Sequence, residues 1–124
     1  MKKAKPACQV CGKPVSTQQG SMTVLFAELH QFEKRYREWE RKHPLDASGA
    51  RCLSTVDLVT QPAQVEWRWG HTRCLPEGGY QIVYGRFDTI TQALAWTLHL
   101  MGKGWLEHTN WEAAVRAHHA VGGA

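Results

Sequence analysis

Two short stretches far apart in the chain restrict its folding more than anything between them. "CQVCGK", residues 8–13, places two cysteines with two residues between them, and "GHTRC", residues 70–74, places a histidine and a cysteine at the same gap. A Cys-x-x-Cys turn aims both sulfurs at one point, and a tetrahedral Zn2+ needs four such donors, with thiolates about 2.3 Å away. Gly12 lets the backbone turn tightly after Cys11 so that amide groups approach the thiolates, and Lys13 adds positive charge beside them. Neither pair completes a shell alone. If Cys8, Cys11, His71 and Cys74 hold one ion, the fold must bring the two stretches together. Protein then fills all four positions and leaves none for water, so the Zn2+ is structural and not catalytic.

Cys52 is the alternative fourth ligand in place of His71. It has no donor near it in sequence, and "RCLSTVDLV" reads as the start of a strand, where a lone cysteine is a small buried hydrophobe. The setting favours metal over disulfides. "MKKAKPAC" begins basic but has no apolar run after it, and no stretch reaches the roughly 18 apolar residues that span a bilayer. The expectation is a soluble, cytoplasmic protein with no membrane partner, whose cysteines stay reduced.

At these residues the chain resembles the Cys-Cys-His-Cys fingers of LIM domains and of the poly(ADP-ribose) polymerase type. "CQVCGKPV" is similar to their first knuckle and "WRWGHTRC" to their aromatic residue followed by His-x-x-Cys. The likeness covers the ligand motifs only, and what it implies is a bound zinc ion.

The 124 residues, 43% hydrophobic with six Trp, suit one domain over 1–124, with 1–6 a flexible basic arm and 120–124 a frayed tail. In residues 21–43, Met22, Leu25, Leu29, Phe32, Tyr36 and Trp39 draw one apolar stripe at helical spacing. Glu33–Arg37 and Glu38–Lys42 stand at i,i+4 on the other face, Ser21 suits the N-cap, and Pro44 ends the helix. The stripe serves either the core or an assembly seam, which leaves a homodimer open. Residues 53–60, 64–70 and 80–87 read as three strands, with Val65, Trp67 and Trp69 on one face and Glu66 and Arg68 on the other. Two helices follow. Thr89 with Gln92 and Thr109 with Glu112 stand in capping-box spacing, and Ile90, Leu94, Leu98 and Met101 line one face. The fold class is thus α+β: a small zinc-stapled domain with a long N-terminal helix, a three-stranded antiparallel sheet and two C-terminal helices.

The sequence does not point to catalysis. No His-x-Glu precedes the cysteines as in zinc deaminases, and no His-Glu-x-x-His is present. "HTNW" at 108–111 and the pair His118–His119 keep a metal-dependent nuclease in view, but a matching carboxylate cluster is missing. Fifteen Lys and Arg against eleven Asp and Glu give +4, which permits nucleic-acid binding without demanding it. The expectation is a regulatory protein binding DNA or another nucleic acid through Lys2, Lys3, Lys5, Arg68, Arg73 and Arg116. The alternative is an adaptor or inhibitor that binds a protein through the 21–43 helix and exposed aromatics, Trp105 in the interhelical loop above all.

Overall fold

The computed structural model describes residues 6–51 and 53–119. Its centre is a strand, β1 (Gly20–Leu25), in which Ser21, Met22, Thr23 and Val24 are all buried. Covered on both faces, β1 is also the central strand of its sheet. It pairs antiparallel with β2 (Arg68–His71) on one side and β3 (Gly79–Val83) on the other, in the order β2-β1-β3. Met22 lies between Trp69 and Ile82 in this register, and Gly20 stands opposite His71.

The sheet therefore has the expected three antiparallel strands, but one is a different segment. Residues 20–25 are β1, whereas the sequence reading began a helix at 21. Met22 and Leu25 extend the helical stripe only by coincidence of spacing. Both neighbours of Met22 are buried as well, and the β-branched Thr23 and Val24 suit a pleated surface. Ser21 is no helix cap; its Oγ lies 2.6 Å from Thr72 Oγ1. Helix α1 (Phe26–Lys42) starts after Leu25, which offers no side-chain cap, and the Phe26 N–H donates to the Gly78 carbonyl instead (3.1 Å). Leu29, Phe32 and Trp39 are buried, so the stripe of α1 is core, while Glu33–Arg37 and Glu38–Lys42 pair across its exposed face.

Residues 53–60 are the second correction. They contain a short helix, α2 (Thr55–Val59), started by a capping box in which Ser54 and Asp57 exchange backbone and side-chain hydrogen bonds. Asp57 also braces α1: its Oδ1 lies 2.9 Å from His43 Nε2, while His43 Nδ1 lies 2.8 Å from the Trp39 carbonyl. Backbone hydrogen bonds from Ser54, followed by the His43 contact, hold the Asp57 carboxyl below the usual range.

The 64–70 segment keeps its alternation. Val65 and Trp67 are buried, Trp69 is half-buried, and Glu66 and Arg68 are exposed. Helix α3 (Ile90–Leu100) has the expected Thr89–Gln92 capping box. Helix α4 (Trp111–His118) begins one residue later than expected, after Asn110, with no side-chain cap. Thr109 is occupied elsewhere, accepting from Trp67 Nε1 (3.1 Å), and Asn110 Oδ1 accepts from the Trp67 N–H (2.6 Å). Trp67 is thereby fixed in the core against Trp111, with ring centroids 5.0 Å apart. Among the described residues, no helix is long and apolar enough to cross a membrane.

Candidate metal centre

The fold brings the two separated stretches together. The donor atoms of Cys8, Cys11, His71 and Cys74 all lie within 4.8 Å of one another. Two elements do this. The knuckle at 8–13 closes on itself through Gly12 N–H to the Cys8 carbonyl (2.9 Å) and Cys8 N–H to the Lys13 carbonyl (3.0 Å), with Gly12 at φ 73°. His71 ends β2, and the 3-10 turn Thr72–Cys74 swings Cys74 back beside it.

The knuckle is also sewn along β2. Gln9 N–H donates to the Trp69 carbonyl (3.1 Å), and the Trp69 N–H donates to Gln9 Oε1 (2.9 Å). Trp69 faces β1 in the register, so these bonds occupy the outer edge of β2. Gly70 provides the clearance: a Cβ there would collide with the Cys8 sulfur. The approach of β2 to the knuckle therefore needs a residue with no side chain.

The histidine is oriented for ligation. Its Nε2 lies 3.0 Å from the Pro14 carbonyl, and since a carbonyl only accepts, Nε2 carries the proton there. In the neutral ring the lone pair is then on Nδ1, which lies 3.3 Å from Cys11 Sγ and 4.0 Å from Cys74 Sγ. Tetrahedral Zn–S and Zn–N bonds imply donor-to-donor edges of about 3.6 Å, so these spacings bracket the required value. A backbone carbonyl holding the non-ligating nitrogen is the usual partner of a metal-bound imidazole.

The sulfurs differ electrostatically. Burial pushes the Cys8 thiol up, but N–H groups of Cys11, His71 and Val10 outweigh it and bring it from 9.0 to about 5. Cys74 moves the other way, pushed up by burial and by the neighbouring Cys8 and Cys11 sulfurs. Three thiolates in this space repel one another unless a cation joins them. The set is compatible with a bound metal ion, and the three cysteines are free of disulfides.

Cys52, the alternative ligand, lies outside the described residues, as do Lys2, Lys3 and Lys5. Of the other basic residues singled out from sequence, Arg68 is held by Glu28 through contacts of 3.1 and 3.0 Å, and Arg116 by Glu112 at 2.9 Å. Arg73 is exposed, in the turn between two ligands, beside a cavity of about 360 Å3 shared with Gln18 and Gln19. Trp105 is not a free loop aromatic. It is half-buried, with its ring 6.2 Å from Trp67 and 5.6 Å from Tyr80. His118 is buried with Nδ1 on the Ala114 carbonyl, while the His108 ring lies 4.7 Å from that of Phe32.

Sequence reasoning missed Gly70, which matters only through a neighbour supplied by the fold. No family model matches the chain, and no curated protein or solved structure does either. The likeness to LIM and poly(ADP-ribose) polymerase fingers thus stays at the ligand set, where the structure assembles the four residues that carry it.

Proposed function

We propose that this is a non-catalytic regulatory domain closed by one structural Zn2+, and that its metal-bearing end binds nucleic acid. The observation that carries the reading is the convergence of Cys8, Cys11, His71 and Cys74, four protein donors around one point. Three thiolates with one imidazole are soft donors that suit zinc over magnesium or calcium, and a filled shell leaves no position for a reacting water. The choice of nucleic acid rests on charge. No acidic residue precedes Glu28, whereas Lys2, Lys3, Lys5 and Lys13 do, and Arg73 joins this end of the chain through the second ligand pair. Zinc acts indirectly, by tying Arg73 to the knuckle that follows the basic arm.

The test is metal analysis together with retardation of DNA and RNA across a salt series. One zinc per chain is expected, with affinity falling steeply as salt rises, and each phosphate contact removed should flatten the log–log slope by about one unit. Neutralising Lys2, Lys3, Lys5 and Arg73 together should abolish binding while zinc content stays at one. A parent protein that binds no nucleic acid even at low salt removes the nucleic-acid half. Two structural features then favour a protein partner: Arg68 and Arg116 are already engaged by Glu28 and Glu112, and an exposed apolar face runs along α3.

A further inference from the structure

The extended run that leads into β2 has two borders, and part of one is unused. Val65 bonds to His108 and Asn110 through its N–H and carbonyl (2.8 and 3.1 Å), and the Trp67 N–H donates to the Asn110 side chain. Trp69 meets Gln9 in the same way. Successive extended residues turn their backbone groups to opposite borders, so Gln64, Glu66 and Arg68 turn theirs toward β1. Arg68 is paired there with Thr23. Beyond it β1 gives way to α1 at Phe26, and a helix spends its backbone groups on itself. Among the described residues, no hydrogen bond reaches the N–H or carbonyl of Gln64 or Glu66. Open space separates them from α1. A cavity of about 250 Å3 has Gln64 and Glu66 on one wall and Glu28, Gln31, Phe32 and Arg35 on the other. It meets a second, of about 400 Å3, at Phe32 and Gln64, and this one runs on to Tyr36, Glu107 and His108.

We propose that this groove binds an extended, basic segment of another protein, which adds as a short strand beside residues 64–66. Free N–H and carbonyl groups on alternate residues are the feature that a strand recognises and that a helix, its own groups already bonded, does not. The length suits a short segment: from Glu28 to Tyr36 the helical rise gives roughly 12 Å, room for about three or four extended residues. Pro62, with no N–H to offer, stops the border from running further. Charge selects the basic occupant. Glu28 and Arg68 offset each other at 3.0 Å, which leaves two carboxylates, Glu66 and Glu107, against the guanidinium of Arg35. Arg35 bonds to Gln31 (3.2 Å), while Glu107 is 82% exposed with His108 Nε2 at 3.7 Å. An acidic surplus of this kind repels a phosphate backbone and attracts Lys or Arg. The groove contains none of the four metal ligands and does not depend on what the metal-bearing end binds.

Random linear octapeptides displayed on phage, selected on the zinc-loaded full chain, should yield binders with alternating β-branched or aromatic residues and a Lys or Arg. Synthetic copies of these peptides should protect the Gln64 and Glu66 amides from hydrogen exchange. Methylating every second backbone nitrogen of such a peptide should abolish binding in one phase and spare it in the other, because one edge of an added strand faces the groove. Glu107→Lys should weaken the basic peptides about two- to fivefold, the range of an exposed ion pair, with zinc content and circular dichroism unchanged. A selection that yields no peptide, or peptides that leave both amides unprotected, overturns the proposal. So does equal loss of binding in the two methylation phases. Protection that appears without peptide, as the chain's own concentration rises, assigns the groove to a second copy and overturns it as well.

Discussion

A methyl group at position 70 would collide with the Cys8 sulfur, so a glycine on β2 is required by a cysteine on a different loop. Gly70→Ala should therefore lower zinc affinity about 10–100-fold, the usual cost of disturbing the support of a metal site, as read by competition with a chromophoric chelator. Cys8→Ser should lose the metal and most of the thermal stability, whereas Cys52→Ser should retain both. Equal metal loss from Cys52→Ser, with none from His71→Ala, would exchange the fourth ligand. Asp57 gives a separate pH dependence. Its carboxyl is held low in the fold, so it stabilises the fold above the ordinary value of 3.8 and the contribution disappears as pH falls through the lowered value. Asp57→Asn should lower stability at neutral pH and lessen its further decline in acid, read by urea denaturation across the acid range. The ligands were legible in the sequence because their chemistry and spacing are local. Gly70 and Trp105 were not, since one answers to a neighbour brought by folding and the other fills a gap between Trp67 and Tyr80.

For whole elements, a period established in one segment can run on by chance into the next. The true helical stripe of α1 starts at Leu29, and Met22 and Leu25 prolong it only on paper. Helix α2 was concealed differently: Val56 and Val59 suggested a strand, while Ser54 and Asp57 three residues on spelled a capping box. The Thr89–Gln92 box, read the same way, gave α3 correctly because the helix behind it is long. Two substitutions probe these elements. Leu29→Ala should cost about 2–5 kcal/mol, because it empties a buried position between α1 and the sheet. A loss confined to dimer mass, with stability intact, would return α1 to the role of an assembly seam. Thr89→Ala should cost about 1 kcal/mol, since only the cap hydrogen bond is lost.

At the scale of the whole molecule, the α+β class and the three antiparallel strands were legible, but the identity of the central strand was not. Pairing β1 with β2 and β3 depends on contacts distant in sequence, which composition and period do not report. The ion belongs to the same scale. An ion bound by Cys8, Cys11, His71 and Cys74 would fasten residues 8–13 to the edge of the sheet, so chelation should lower the melting temperature and make it depend on zinc concentration, as linkage requires. That fastening has a further consequence. Gln9 occupies both outward backbone groups of Trp69, so the knuckle serves as a shield on the border of β2. An uncovered strand border is a template on which other chains assemble. Stripping the metal should then do more than loosen one corner. It should bare the border of β2 and seed aggregates with cross-β character.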